Sequence, residues 1–543
     1  MSWISTIIFL PVVFLVIILL LPSRFREWYR YITLGTAILQ AGIACIIYLR
    51  FDQAGSDGFQ FLEKVPWIHL SLGNLGRLEI DYFLGVDGLS APLLILSAVV
   101  MVAAAISSWE IKENMKGYFA LFLLMDAAIM GVFCALDFFL FYVFYELMLL
   151  PLYFLIGMWG GPRREYAALK FFLYTLFGSV FMLLVIVGLY FSVTDPVSGA
   201  YTFNMLHMMD AANFVPGAVF SPEVVQTILG VPARLLGFAV IFIAFAIKVP
   251  VVPLHTWLPD AHVEAPTPIS IILAGLLLKI GGYGILRICF GIFPDSALYF
   301  SWFIGMLGVI SILYGALNAL AMKDLKKLIA YSSVSHMGFV LLGFASFTTE
   351  GTSGALLQMV SHGILSTMLF FLVGVLYNRV HDRFIPNFRG LASHMPHYTA
   401  FVMVAFFASL GLPGFSAFIA EAFTLIGTFN SQSVNGLLPR WMAIAGSLGI
   451  LLSAAYFLWT LQRMFFGTTR FRGGEAWSKQ LIDLRPHEWA VLLPMALLTL
   501  MLGIFPSLFF DLSNSALANM VQELFETGKR HLDSLQYTNN LRF

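Results

Sequence analysis

The stretch FIAFAIKVPVVPLH, residues 242–255, decides how this chain folds. Its first half is apolar enough to lie in lipid, yet it contains Lys248, and Pro250 and Pro253 follow. A charge at the centre of a membrane helix costs about 2.5–3.5 kcal/mol on insertion scales. Proline removes a backbone donor, which membrane-embedded backbone tolerates only where protein or trapped water satisfies the freed groups. The stretch therefore predicts a broken membrane helix that carries a buried charge.

The rest of the chain is equally apolar. Of its 543 residues, 59% are hydrophobic and 11% are charged, against roughly 25% charged residues in soluble domains. The formal net charge of zero argues against a nucleic-acid partner. Because so much of the chain is apolar, we expect the lipid bilayer to surround most of it. These values predict an all-α membrane protein of about fourteen transmembrane helices. At about 20 apolar residues per crossing, the spans are predicted near 3–22, 31–49, 86–108, 117–136, 138–157, 167–192, 235–258, 266–290, 298–321, 328–348, 354–378, 399–428, 441–462 and 487–510.

Basic residues are concentrated in alternate loops, which predicts the orientation in the membrane. Cytoplasmic loops carry an excess of Lys and Arg. Both termini are therefore expected on the non-cytoplasmic side of a multi-pass protein of the bacterial inner membrane. The loops assigned to the cytoplasm contain Arg24, Arg26, Arg30, Lys112, Lys116, Arg163, Arg164, Lys170, Lys323, Lys326, Lys327, Arg379, Arg383, Arg389, Arg463, Arg470, Arg472, Lys479 and Arg485.

Six ionisable residues stand well inside predicted spans, and we interpret them as a proton relay. A nearby carboxylate favours the charged form of a buried lysine, so a Lys–Glu pair whose distance changes works as a proton switch. Histidines, which titrate near neutral pH, can connect such switches. The alternative for each residue is a structural salt bridge or a polar packing contact. The six are Glu146, Lys248, Lys279, His336, His362 and Glu421.

Three other charged residues are treated separately. Asp137 and Arg287 fall near predicted span ends, where a side chain can extend to the interface, so a structural role is expected. Asp126 is deep in the fourth span without an evident partner, and the sequence assigns it no role.

The two interrupted spans suggest internal symmetry. GLPGF at 411–415 interrupts the twelfth span as the prolines after Lys248 interrupt the seventh. Paired broken helices are typical of inverted-repeat transporters, and an offset of five helices reverses orientation. We therefore expect inverted five-helix repeats over spans 4–8 and 9–13, with Glu146 matching His336 and Lys248 matching Glu421. The predicted division is 1–110, 111–290 (first repeat), 291–470 (second repeat) and 471–543. The alternative is that the prolines merely kink packed helices.

Cofactor motifs are missing from the sequence. It contains neither GxxxxGK[ST] nor a GxGxxG that opens a helix after a strand, and Cys45, Cys134 and Cys289 are isolated. No nucleotide, iron–sulfur or metal site is therefore expected on this chain. A haem held between His336 and His362 remains an alternative.

Four long stretches resemble the antiporter-like membrane subunits of respiratory complex I and of multisubunit cation/proton antiporters. They are KVPVVPLHTWLPDAHVEAPTPIS at 248–270, LAGLLLKIGGYGILR at 273–287, KDLKKLIAYSSVSHMG at 323–338 and GLPGFSAFIAE at 411–421. The resemblance covers about residues 80–510. It is closest to the M-type (chain 4) branch of proton-pumping NADH:quinone oxidoreductase, because Glu421 stands where sister subunits typically have lysine. The segment EYAALKFFLYT at 165–175 points to the same branch.

The resemblance implies roles that the spacing alone does not show. Glu146 and Lys248 would be the paired switch and Lys279 the central lysine. His336 and His362 would connect it to Glu421 on the exit side. The implied partners are the L-type and N-type subunits, with FMN and iron–sulfur clusters on other subunits. A cation/proton antiporter subunit, a ferredoxin-driven photosynthetic relative, a purely structural scaffold and a solute carrier remain as alternatives.

Overall fold

Helices dominate the computed structural model, which describes residues 2–52, 58–71, 77–223 and 226–539. Within these residues, 12 helices are long and apolar enough to cross a membrane. They are α1 (Trp3–Leu20), α2 (Trp28–Arg50), α3 (Ser90–Glu110), α4 (Met115–Cys134), α5 (Phe138–Trp159), α6 (Arg164–Tyr190), α8 (Thr267–Phe290), α9 (Ser301–Ala321), α10 (Leu325–Ala345), α11 (Thr349–Val380), α13 (Arg440–Phe465) and α14 (Pro486–Ile504).

Two further helices are broken, and they are the seventh and the twelfth, as the sequence predicted. The seventh consists of α7a (Ala233–Lys248) and α7b (Trp257–Glu264). The twelfth consists of α12a (Pro396–Ser409) and α12b (Ser416–Val434). Together with the 12 helices named above, they bring the described part of the chain to the predicted fourteen. The all-α membrane fold is thus confirmed, whereas the inverted symmetry and the domain boundaries stay predictions.

The break in α7 leaves its backbone groups satisfied. Pro250 has no N–H, so the Ala246 carbonyl accepts instead from the N–H of Val251, at 2.9 Å. The Ile247 carbonyl accepts from the indole Nε1 of Trp257, at 2.7 Å, and the N–H of Val252 donates to the Ser311 hydroxyl at 3.2 Å. Side chains therefore replace the lost helical bonds, as the interior of a membrane requires.

Glycine permits the break in α12. Gly411 and Gly414 have φ angles of +77° and +98°, which residues with a Cβ rarely adopt. Pro413 between them ends the helical ladder, and the N–H of Leu412 donates to the Phe407 carbonyl at 3.1 Å. The motif GLPGF is thus a turn at membrane depth rather than a kink.

The basic loops lie on one face of the bundle, as the sequence predicted. Hydrogen bonds and an ion pair connect successive loops of this set. They are Arg30 to the Ile111 carbonyl (3.2 Å), Trp159 to the Glu113 carbonyl (2.8 Å), Gly161 N–H to the Glu264 carbonyl (2.8 Å), Lys326 to the Ala265 carbonyl (2.6 Å) and Arg379 to Glu488 (2.8 Å). On the opposite face, Arg50 lies over the Trp3 ring and Ser5 bonds to Glu63.

Two elements on that opposite face lie outside the predicted spans. Strands β1 (Gln60–Ser71) and β2 (Arg77–Val86) form an antiparallel hairpin. An amphipathic helix, α15 (Ser507–Asn539), follows α14 and packs on the short helix Pro294–Tyr299 that precedes α9. The remaining described helices and strands are short: Met205–Met209, Gly474–Gln480, β3 (Thr227–Ile228), β4 (Val231–Pro232), β5 (Phe388–Arg389) and β6 (Arg470–Phe471).

A polar contact fastens α1 to α2. Pro11 lies inside α1 and leaves the carbonyl of Ile7, four residues earlier, without its helical donor. The amide Nε2 of Gln40 on α2 donates to this carbonyl at 2.9 Å.

We expect Gln40→Leu to lower the free energy of unfolding by about 1–3 kcal/mol, because it leaves a buried carbonyl without a donor. Thr36→Val is the matched control, since the Thr36 hydroxyl bonds only to the Ile32 carbonyl of its own helix. Thermal denaturation of the detergent-solubilised protein measures both. Equal melting temperatures for the two variants would show that the contact does not hold α1 in place.

Candidate functional site

Lys248 lies at the break of α7 and rests on α5. It is the last residue of α7a, where the partial negative charge of the helix end favours a cation. The side chain is fully buried. Its Nζ lies 3.2 Å from the centre of the Tyr145 ring and 3.9 Å from the sulfur of Met148. The main support of this ammonium is therefore the face of an aromatic ring, a cation–π contact.

Glu146, the predicted partner of Lys248, belongs to the same cluster but does not touch the lysine. Glu146 is half-buried. The Ser179 hydroxyl of α6 and the Lys248 ammonium are close enough to interact electrostatically with its carboxyl group. No nitrogen of a described Lys, Arg or His side chain lies within 4.0 Å of the Glu146 carboxyl oxygens, which is the distance limit for an ion pair. Its Oε1 is buried without a hydrogen-bond partner. The structure thus brings the two residues into one cluster without an ion pair between their side chains.

The position of Glu146 follows from a local irregularity of α5. Pro151 cannot donate to the Leu147 carbonyl, and the helix is interrupted by a turn at Met148. This turn comes directly after Glu146 and Leu147. The sequence therefore places a weakened helical turn beside the acid.

Lys279 and His362 form the second cluster, with a direct contact. The Nζ of Lys279 lies 2.7 Å from Nδ1 of His362 and donates to the Ala274 carbonyl at 2.6 Å. Ala274 belongs to a π-helical segment of α8, Leu273–Leu277, whose wider turns alter the usual i→i−4 bonding. The π segment therefore supplies the acceptor that the buried ammonium needs.

His336 and Glu421 continue this cluster from α10 to α12b. The Nδ1 of His336 lies 3.4 Å from Oε1 of Glu421 and also 3.4 Å from the amide Nε2 of Gln358. The second carboxyl oxygen of Glu421 is buried without a hydrogen-bond partner. It faces the break of α12, 2.8 Å from the place where a Cβ on Gly411 would stand. The glycine thus leaves room for the acid at the break.

A small polar cavity lies between the two histidines. The ring centres of His336 and His362 are 5.7 Å apart. The cavity has a volume of about 10 Å³, and Ser332, Ser333, Gln358, Ser366 and Ser409 are among its lining residues. About this much space holds one water molecule, which needs two or more polar partners. The lining supplies those partners, so a single water can connect the rings.

The two clusters are not joined by a direct contact. Where α7 meets α8, Gly281 packs against Val249 and Phe245, and a Cβ on it would lie 2.7 Å from the Val249 side chain. Among the described residues, no hydrogen bond connects a polar side chain of the Lys248 cluster with Lys279.

The line of polar groups runs through the most deeply buried helices of the bundle. In the apolar membrane-spanning segments of α8 and α11, 100% of the residues are buried, and in that of α10, 94% are buried. The corresponding values are 28% for α1 and 39% for α6. Lys279, His362 and His336 are consequently enclosed by protein rather than by lipid.

Four polar residues of these clusters were missed by the sequence reasoning: Tyr145, Ser179, Gln358 and Tyr456. Gln358 precedes His362 by four residues and so lies on the same helix face, a spacing that could have identified it. The Tyr456 hydroxyl is buried, and it is close enough to Glu421 and Ser332 to interact with them electrostatically. Tyr145 and Ser179 give no signal of their own, since aromatic and small residues are common in membrane helices.

The three other buried charges lie outside both clusters. Asp137 caps α5 by accepting from the N–H of Leu140 at 3.0 Å, a structural role as expected. Arg287 is buried and paired with Asp87, so the expectation that it extends to the interface is wrong, although its role is structural. Asp126 is buried near Gln40 between α4 and α2.

A family model described as "NADH:quinone oxidoreductase/Mrp antiporter, TM" matches residues 135–453, a range that includes all six predicted relay residues. The chain belongs to this family. A family member named NADH-quinone oxidoreductase subunit M, from Rhodobacter capsulatus, is 39% identical over 494 residues, covering 91% of this chain and 90% of the relative. Another, named NAD(P)H-quinone oxidoreductase chain 4 2, from Thermosynechococcus vestitus, is 36% identical over 532 residues, covering 97% and 94%.

Solved structures agree with this membership. A chain of respiratory complex I from Thermus thermophilus superposes with a TM-score of 0.78 and 30% identity, covering 96% of this chain and 99% of that one. A chain of the Mrp complex from a Dietzia species superposes with a TM-score of 0.76 at 21% identity, which shows a shared fold.

The surroundings of Lys248 predict an unusual result for its replacement. Lys248→Met removes a desolvated charge and breaks no hydrogen bond to oxygen, so we expect the melting temperature of the protein to stay the same or to rise. Arg234, the other buried cation of α7a, is the matched control. It donates to Asp295 and to the Phe220 and Ile292 carbonyls.

Arg234→Met should therefore destabilise the protein by about 3–5 kcal/mol, since it leaves a buried carboxylate unpaired. Thermal denaturation of both purified variants is the measurement. A loss of stability in Lys248→Met as large as in Arg234→Met would mean that Lys248 is a structural ion-pair residue.

Proposed function

We propose that this chain is a proton-translocating membrane subunit of NADH:quinone oxidoreductase, corresponding to the M-type subunit. The observation that carries the proposal is the series of buried groups Lys279, His362, His336 and Glu421. Lys279 lies 2.7 Å from His362, and His336 lies 3.4 Å from Glu421. Uncompensated charges are rare inside membranes and mark ion or proton pathways. The names of the full-length relatives support the same assignment.

In the proposed mechanism, the Glu146–Lys248 cluster is the switch. When the carboxylate approaches Lys248, the ammonium is stabilised; when it withdraws, burial of the ammonium favours release of the proton. Two unit charges interact over several ångströms in a protein interior, so a change at Lys248 acts on Lys279 without a direct contact. This is how the separation between the two clusters is bridged.

The second cluster carries the proton onward. Lys279 donates to Nδ1 of His362, and a water in the cavity between the histidines passes the proton to His336. Glu421 accepts it from Nδ1 of His336 and releases it on the far side, as the family resemblance implies. Tyr456 and Gln358 hold these groups in place, which is a positioning role.

The proposal includes an orientation and an assembly. The face with the basic loops would be cytoplasmic, both termini non-cytoplasmic, and the membrane a bacterial inner membrane. L-type and N-type subunits would flank the chain, with FMN and iron–sulfur clusters on partner subunits and no cofactor on this one. A haem between the two histidines is disfavoured, because the cavity there is only about 10 Å³.

A subunit of a multisubunit cation/proton antiporter is the second candidate. It is favoured by the family description, which covers both kinds of protein, and by the fold shared with the Dietzia Mrp complex. A ferredoxin-driven relative is a further variant, suggested by the chain 4 proteins of photosynthetic organisms. Purification of the native assembly separates these candidates: flavin and iron–sulfur partners that oxidise NADH support the first proposal.

Substitution tests the relay itself. We expect Glu146→Gln, Lys248→Met and Glu421→Gln each to reduce NADH-driven proton pumping by the assembled complex by about tenfold or more, because each removes one proton-transfer group. Pumping is measured in membrane vesicles by the quenching of a pH-sensitive dye, with NADH:quinone activity recorded alongside.

Asp126→Asn is the control, since Asp126 is a fully buried acid that lies outside both clusters. It should pump at the wild-type rate. If the three relay variants assemble and pump as well as Asp126→Asn does, the relay assignment is wrong.

A further inference from the structure

A basic groove lies at the end of α13, on the face with the basic loops, and none of the six predicted relay residues lines it. It has a volume of about 730 Å³, and the side chains that matter are Arg389, Arg463, Arg470, Arg472 and Trp459. Arg463 and Trp459 come from the end of α13, and the other arginines from two loops. The antiparallel pair β5–β6 holds these loops together.

The arginines of this groove have no acidic partners. No Asp or Glu belongs to the groove lining. Within the described part of the chain, none of the four guanidiniums forms an ion pair, whereas eight other arginines do, among them Arg379 and Arg383. Glu475, only three residues after Arg472, is not paired with it either. The positive charge of the groove is therefore not neutralised by the chain itself.

The backbone brings two of these charges face to face. In the β5–β6 pair, the Cα of Arg389 is directly opposite the Cα of Arg470. Like charges in this position destabilise a strand pair. An anion bound between the two arginines would remove this repulsion, and guanidinium groups bind phosphate oxygens through paired hydrogen bonds.

An apolar stripe leads from the membrane directly to the groove. Ile444, Leu448 and Leu451 on α13 are 60%, 47% and 68% exposed, and Leu458 continues the same helix face. Next to Leu458 is Trp459, whose ring carries the Arg463 guanidinium at 4.5 Å. Tryptophan is enriched at the level of lipid head groups, so the stripe lies at the depth of acyl chains and the groove at the depth of phosphates.

We propose that this groove binds the head group of an anionic phospholipid, whose acyl chains lie along the exposed face of α13. A free phosphate would use the arginines but not the stripe, and an acidic protein segment would not need a stripe that continues into the membrane. Only a molecule with an anionic head and apolar tails matches both parts. Basic pockets beside membrane helices are known to bind such head groups.

The test compares lipid binding by the assembled membrane complex with and without two of the arginines. The complex is purified, stripped of lipid and titrated with phosphatidylglycerol, and bound lipid is counted by native mass spectrometry. Arg470→Gln together with Arg472→Gln should weaken the tightest binding about thirtyfold, at about 1 kcal/mol per arginine. Arg463→Gln alone should weaken it about fivefold and serves as a second variant.

The control is Arg24→Gln together with Arg26→Gln, which removes the same charge from exposed arginines on the same face. Its phosphatidylglycerol binding should equal that of the wild type. Phosphatidylcholine should bind far more weakly, and millimolar inorganic phosphate should not displace the lipid.

Three results would overturn the proposal. The first is equal phosphatidylglycerol binding by the groove variants and the control. The second is displacement of the lipid by inorganic phosphate, which would identify a site for the free ion. The third is a cross-link from Arg472→Cys to an acidic segment of a neighbouring subunit in the native complex, with no lipid retained.

Discussion

Every backbone N–H and carbonyl inside the hydrocarbon layer must find a hydrogen-bond partner within the protein, and this constraint governs the fold. Helices satisfy it for the backbone, which is why the fold is a bundle. Where a helix breaks, the freed groups are paired one by one: Trp257 and Ser311 supply the partners around the α7 break. Of the six predicted relay residues, four lie beside irregular backbone: Glu146, Lys248, Lys279 and Glu421.

This arrangement explains why the buried charges form two clusters with different properties. Lys248 rests on an aromatic ring and faces an acid that it does not touch, so its interactions are easily changed. Lys279 is held by a carbonyl and a histidine at hydrogen-bond distance, so its proton already has a neighbouring acceptor. These differences match the proposed mechanism, in which the first cluster switches and the second transfers the proton.

Much of the site could be predicted from the sequence, because an ionisable residue in an apolar span is conspicuous and costly. All six predicted residues lie in the two clusters, and both helix breaks fall where Pro and Gly predicted them. The distance between Glu146 and Lys248 could not be predicted, since it depends on how α5 packs against α7. The neighbours Tyr145 and Ser179 could not be predicted either, because such residues are common in membrane helices and only the tertiary structure brings them to the cluster. The β1–β2 hairpin was not predicted, because a strand that alternates apolar and polar residues contains no long apolar run.

The π-helical segment Leu273–Leu277 has a consequence for how this helix can vary. A π turn contains about one residue more than an α turn, so it absorbs an extra residue while the later side chains keep their direction. It also widens the turn, and here the Ala274 carbonyl in the widened turn accepts from Nζ of Lys279, five residues later. Removing a single residue from the segment would restore a regular α-helix, whose carbonyls accept from backbone N–H groups four residues later. The ammonium of Lys279 would then lose its oxygen acceptor, although all six predicted relay side chains were still present. The length of this segment is thus as much a part of the site as the residues themselves.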